Sequence, residues 1–278
     1  MIGFELFKLA RSRRPLVAVG CLLLFLVMML LGFYTYAQAR TGGNVEFRYT
    51  FENESYFNGL TFSVYALYFA HMLLLPIFAC AEGGAQLAGE VQSGTLQLLM
   101  ARPVSRARLF LSKLVAGFLS QTLLLGIFLA VCMGVGLLAV GWGELSLYPG
   151  VLQMTAAPQH LSQEQALWRF ALVWPAASIA LLAPLSLALL VSAWSKSAVN
   201  AVASSVAIYL VLYVVSQVHF FAELRPWLFT SYLAYWRGLF QEVPHAETIL
   251  RNAAKLLSFS ALFLALAQWR FRTREVVG

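Results

Sequence analysis

Acid–base, metal and nucleophile chemistry draws on carboxylates, imidazoles and thiols held at short, recurring spacings, and this chain places few of them so. All twelve acidic residues are glutamates, lying mostly in loops or at helix ends, and four histidines stand at positions 71, 160, 219 and 245. Cys21, Cys80 and Cys132 each fall in an apolar segment, with no C-x-x-C or Cys/His spacing, so they read as packing residues. H-E-x-x-H and G-x-S-x-G are missing, and no G-x-x-x-x-G-K-S/T is present to cradle the phosphates of a nucleotide. The seven methionines and four histidines form no metal-binding cluster. The sequence therefore offers no catalytic residue, no cofactor-binding residue and no metal site, and an enzyme reading has little support. Ion-coupled carriers keep carboxylates at mid-membrane, and none is evident there.

Polar residues concentrate instead in "GEVQSGTLQLLMARPVSRARLFLSK", residues 89–113, between two apolar stretches. Glu82-Gly83-Gly84 marks the end of the preceding span. Ser93 or Thr95 can cap a short helix, on which Leu96, Leu99 and Met100 make one apolar face. Pro103 ends it, Ser105 offers a second cap, and Arg106 and Lys113, seven apart on one face, lead into the next span with stems able to snorkel. The product is an amphipathic helix over 89–105, too short to span and fit to dock on a soluble partner.

Other polar groups sit inside apolar stretches. Tyr68 and His71, one turn apart, are candidates for lining a cavity, and a histidine bonded between packed helices is the plainer alternative. Ser197, Ala201 and Ser205 form a small-residue stripe suited to close helix packing, with Asn200 and Ser204 on an adjoining stripe. Pro175 and Pro184 can each kink their helix by removing a hydrogen bond.

These residues need elements to hold them, and composition says which. The chain has 278 residues, 60% hydrophobic and 11% charged, far outside a soluble globular composition. About 20 apolar residues cross a bilayer core of ~30 Å. Six such runs are expected at 15–37, 58–81, 109–140, 166–194, 198–218 and 247–269, giving an all-α integral membrane protein with a single transmembrane domain over 1–278. The last run is short, so Lys255 must reach outward. The first is too long for a signal-peptide core, although Ala37-Gln38-Ala39 resembles a cleavable site, and reads as a retained helix.

Residues 1–14 read as an interfacial helix with Ile2, Leu6 and Leu9 on its apolar face. The loop 38–57 permits a short strand pair, Ser162 and Gln165 a helix cap, and the aromatic segment 220–246 packs at the outer interface. Placing both termini in the cytoplasm puts 12 of the 19 Lys and Arg residues inside, leaving 7 outside. Tyr34, Tyr36, Trp142 and Trp168 then lie near the outer surface, and Trp194 and Trp269 near the inner one. The net charge of +7 belongs to topology and to anionic lipid, and nucleic acid is not an expected partner.

The 89–113 stretch resembles the pattern shared by permeases of the ABC-2 transporter family: an acidic residue, Gly-Thr-Leu, paired leucines, Pro-Val-Ser-Arg and a lysine entering the next helix. Glu90, Gly94, Thr95, Leu96, Leu98, Leu99, Pro103, Val104, Ser105, Arg106 and Lys113 match it. The interfacial segment, six spans and length are similar to that family too, and in particular to single-domain permeases that work with separately encoded ATPases, including the NosY-type permeases of copper-enzyme maturation systems. The resemblance implies a type V exporter-like fold in the cell inner membrane, a second permease copy in a dimer, and an ABC ATPase subunit that carries the ATP and Mg. It makes 89–105 a coupling helix, with Glu90, Gly94, Thr95, Leu96, Leu99, Pro103 and Arg106 as contact or hinge candidates. By fold analogy it places a pathway near Tyr68, His71, Asn200 and Ser204.

Two other classes stay open at this level. An ATPase-independent carrier or channel would need intramembrane charges or an inverted repeat, neither of which stands out. A mechanical or assembly component would act on an extracytoplasmic partner through 220–246. The cargo is not written in the sequence.

Overall fold

The computed structural model describes residues 2–41, 58–96, 105–147 and 159–273. Seven helices account for most of these residues: α1 (Ile2–Arg11), α2 (Arg13–Thr41), α3 (Gly59–Gln92), α4 (Arg106–Ala139), α5 (Gln163–Trp194), α6 (Ala198–Gln217) and α7 (Ala246–Thr273). All but α1 are long and apolar enough to cross a membrane, so the chain is the all-α six-span protein its composition requires. Strands β1 (Leu145–Leu147) and β2 (Gln159–Leu161) pair antiparallel in the α4–α5 connection. The strand pair expected within 38–57 lies outside the described residues.

α5 is the most buried span, flanked by α3 and α7, with α6 laid against α3. Its start is fixed by a reciprocal cap: the Ser162 hydroxyl accepts from the Gln165 N–H, and the Gln165 side chain accepts from the Ser162 N–H. α2, α6 and α7 bury little of themselves and turn Leu16, Met28, Val199, Val211 and Leu250 outward, which is how a surface meeting hydrocarbon is composed.

α3 runs well past the expected end at Ala81. At 34 residues it is about 51 Å long, more than a bilayer core needs. Gly83 and Gly84 do not end it. A Cβ on Gly83 would meet the Leu185 carbonyl of α5 at 2.8 Å, and one on Gly84 would meet Val202 Cα of α6 at 3.0 Å, so the pair lets two helices close on α3 at once. At the same level the Ser192 hydroxyl of α5 accepts from the N–H groups of Leu87 and Ala88 and donates to the Gly84 carbonyl at 2.6 Å.

A π-turn over Ala70–Leu74 interrupts α3 just before Pro76. Proline has no N–H to return to the carbonyl four residues back, here Met72. The Tyr209 hydroxyl of α6 supplies that bond at 2.5 Å.

The α6–α7 connection folds as short 3-10 turns at His219–Trp227, Phe229–Tyr232 and Tyr235–Phe240. The third is buried: Trp236 and Phe240 lie in the main core with Phe170 and Leu60. Lys255 reaches outward as expected, its ammonium 3.4 Å from the Tyr232 hydroxyl and 5.0 Å above that ring.

Candidate functional site

At one end of the bundle, the basal end, α1, the last turn of α3, the first turns of α4 and the end of α7 converge. α1 contributes less of an apolar face than its periodicity suggests. Glu5 and Leu9 are its buried residues and Leu6 is half-buried, while Ile2, Phe4 and Phe7 are exposed. A carboxylate turns inward because a cation waits for it.

That cation is Lys113 of α4. Its side chain is 1% exposed, and its ammonium donates to Glu90 Oε1 at 2.5 Å and to Glu5 Oε1 at 3.1 Å. Lys8 of α1 donates to the same Glu90 oxygen at 2.7 Å, with half of its own side chain in the open. The expectation that Lys113 snorkels is thus corrected: with two carboxylates beside it, its charge is satisfied inside the protein. Two lysines and two glutamates make the node self-neutral, which is what makes burial of Glu5, Glu90 and Lys113 tolerable.

Glu90 is therefore not a surface residue; at 2% exposed it is the hub that joins α1, α3 and α4. Two residues on, α3 ends. Gly94 adopts φ +69°, the left-handed conformation that follows many helix ends, and its N–H bonds back to the Val91 carbonyl. The hydroxyls of Ser93 and Thr95, 2.8 Å apart, both reach the Glu90 carbonyl, at 3.4 and 3.5 Å. They finish α3, and the backbone is helical again at Thr95 and Leu96, where the sequence places the start of a short helix.

Beyond the turn, Leu96 is buried with Leu87, Leu109, Phe110 and Phe271. Ser105 caps α4 as expected, accepting from the Arg108 N–H. Arg106 then spans to α7: its guanidinium donates to the carbonyls of Phe271 at 3.3 Å and Arg272 at 2.8 Å, satisfying groups a helix end leaves unpaired. Leu99 and Pro103 lie outside the described residues.

The four residues expected to line a pathway are not brought together. His71 is fully buried, its Nε2 3.0 Å from the Ala177 carbonyl of α5 and its Nδ1 accepting the Trp236 indole N–H at 3.2 Å. Both ring nitrogens are engaged, the arrangement of the plainer alternative, a histidine bonded between packed helices. Tyr68 is half-buried beneath the Arg237 guanidinium, 5.5 Å from its ring centroid. Burial depresses that guanidinium's pKa, and the phenols of Tyr68 and Tyr213 oppose the shift. Asn200 and Ser204 are exposed on α6, while Ala201 and Ser205 of the neighbouring stripe are buried against Gly84, with the Ser205 hydroxyl donating to the Cys80 carbonyl. The small-residue stripe is a packing seam.

Glu5 and Lys8 did not stand out as site residues in the sequence, and Lys113 did so only as part of a pattern. Their signal is faint, since Glu5 and Lys113 are 108 positions apart. Glu82, Gln86 and Gln121, buried between α3 and α4, were likewise not marked there as a polar group.

With this geometry in hand, comparison with known proteins adds one finding. A family model described as ABC-2 family transporter protein matches residues 5–276, an interval that begins at Glu5 of the basal node and takes in all six spans. The match is to the family and singles out no NosY-type subgroup. No curated protein matches the chain.

Proposed function

The chain belongs to the ABC-2 transporter family as a multi-pass membrane permease, and on that premise we propose that ATP hydrolysed on a separate ABC ATPase subunit drives it through residues 89–105. The observation that carries this reading is the fastening of both ends of that segment. Its entry is tied through Glu90 to α1 and α4, and its exit through Arg106 to α7. A push on a segment anchored in this way moves helices as bodies, since packed elements shift between discrete arrangements rather than bend.

In this reading Gly94 and Thr95 shape the turn that presents the segment, Leu96 seats its root, and Leu99 and Pro103 belong to the part that meets the ATPase. Glu90 and Arg106 act from beneath as positioning residues. ATP and Mg stay on the partner, which fits a chain with no phosphate-cradling motif. A second permease copy completes the unit, and the outward apolar faces of α2, α6 and α7 are shared between it and lipid. The basal end faces the cytoplasm of a cell inner membrane, with both termini there. Of the pathway candidates, Tyr68, Asn200 and Ser204 remain available to cargo.

Purification of the full-length protein from its host tests the proposal. An ATPase is expected to accompany the unaltered chain and to be lost when Gly94 and Arg106 are replaced together by Val and Glu. If no ATPase accompanies even the unaltered chain, the reading fails.

A further inference from the structure

The α3–α4 interface carries a ladder of polar side chains in antiparallel register. On α3, Glu82, Gln86 and Glu90 recur every fourth residue and share a face, and on α4 Lys113, Gly117 and Gln121 do the same. The pairs are Glu90 with Lys113, Gln86 with Gly117, and Glu82 with Gln121. At the middle pair a Cβ on residue 117 would stand 2.6 Å from Gln86 Nε2, so the glycine gives the amide its room. At the upper pair the Gln121 amide donates to Glu82 Oε2 at 2.6 Å and the Ser120 hydroxyl to the same oxygen at 3.2 Å. Eight residues separate Glu82 from Glu90, so the ladder climbs about 12 Å from the basal node.

The two ends of the ladder differ in charge. The node at Glu90 is closed, two lysines against two glutamates. Glu82 receives only neutral donors, and none of the ion pairs among the described residues includes it. The hydrogen-bonding balance is equally one-sided. Glu82 Oε1, Gln86 Oε1, Gln121 Oε1 and Glu90 Oε2 are buried without a hydrogen-bond partner, against one nitrogen, Gln86 Nε2. Gln86 is 8% exposed and both of its terminal atoms are unpartnered. Buried polar atoms are nearly always paired, and a group of orphans in one seam calls for a specific cause.

The surplus is of oxygen acceptors and of a single negative charge. We propose that the Glu82, Gln86 and Gln121 end of the ladder binds one small monovalent cation, an alkali ion or a hydronium. Divalent ions favour several carboxylates and here would meet one. The surrounding charges are few. Arg14 of α2 acts on Glu82 from an exposed position, and Lys8, Lys113, Glu90 and Glu5 occupy the node below. α5 from Phe170 onward and α6 carry no charged residue. A bound cation would pin α3 to α4 above the node, setting the rigidity of the two helices that bear residues 89–105. The site itself does not depend on an ATPase and stands apart from that reading.

The test is equilibrium binding to the full-length chain in lipid nanodiscs. One arm measures 22Na+ and 86Rb+ at fixed pH and ionic strength, and the other measures proton uptake in alkali-free medium between about pH 8 and pH 6 as the difference from the Glu82→Gln chain, so that the histidines and the N-terminus, which also titrate there, cancel. One ion per chain is expected in one arm, and that arm names the ion. Glu82→Gln should weaken it at least tenfold, and Gln86→Leu, which keeps the carboxylate, should weaken it too, while Glu223→Gln on the α6–α7 connection leaves it unchanged. Absence of a bound ion in both arms, or binding by a monodisperse Glu82→Gln protein equal to that of the unaltered chain, overturns the proposal.

Discussion

Lys113 and Glu90 meet at 2.5 Å across the α3–α4 interface, both nearly inaccessible, and Glu5 closes on the same ammonium from α1. Removing one partner strands a buried charge. Lys113→Met leaves the buried Glu5 without its ion-pair partner and Glu90 with the half-exposed Lys8 alone, and should cost about 3–5 kcal/mol. Replacing Lys113, Glu90 and Glu5 together by Met, Leu and Leu should cost less than the single change, because buried charges exchanged as a set for apolar groups of similar volume leave none of them stranded. Denaturant or thermal unfolding of the two variants in detergent, compared with the unaltered chain, gives the order. Equal losses would show that the node does not act as one unit.

Gly94 turns the chain at φ +69° with open space on the side where a Cβ would stand, so backbone conformation alone opposes a side chain there. Gly94→Ala should cost about 1 kcal/mol, and Gly94→Asn less, since asparagine tolerates the left-handed region. Thermal unfolding midpoints should rank glycine, asparagine, alanine. Valine, stiff at Cβ, should fall below all three.

Gly84 is constrained by space instead. A methyl group there meets Val202 Cα at 3.0 Å and the Ala201 carbonyl at 3.1 Å, backbone that cannot rotate aside. Gly84→Ala should cost about 1–3 kcal/mol through overpacking, and Gly84→Leu should displace α6. Disulfide trapping between cysteines placed at Gly89 and Ala198, where a Cβ on residue 89 would stand 3.9 Å from that of Ala198, should fall in the leucine variant. Trapping unchanged from the parent would mean that α6 does not rely on this glycine.

Six spans were legible because a run of apolar residues long enough to cross a bilayer has few other uses, and the Ser162–Gln165 and Ser105 caps were legible because capping is local. Glu82-Gly83-Gly84 misled for a physical reason: the same three residues that end a helix in water serve inside a bundle as a buried acid and two points of close approach. The inward face of α1 was hidden too. Periodicity places Ile2, Leu6 and Leu9 together, but only the tertiary fold brings Lys113 to α1 and makes Glu5 its buried residue. Of the residues expected to couple to an ATPase, Gly94 and Arg106 have geometry that follows from their types. Glu90's role as a hub depends on two lysines from other helices.

His71 decides between a histidine that handles cargo and one that holds helices. Its Nδ1 accepts from Trp236, and its Nε2 lies 3.0 Å from the Ala177 carbonyl, so the tautomer with hydrogen on Nε2 satisfies three helical elements at once. His71→Leu leaves the buried indole N–H without an acceptor and should cost about 1–3 kcal/mol. His71→Gln can keep one of the two bonds and should fall between. Trp236→Phe removes the donor as well, so adding it to His71→Leu should cost less than the sum of the single changes, as expected for contacting partners. Unfolding of the four variants beside the parent measures this coupling. A His71→Leu protein as stable as the parent but altered in transport would return the residue to the pathway.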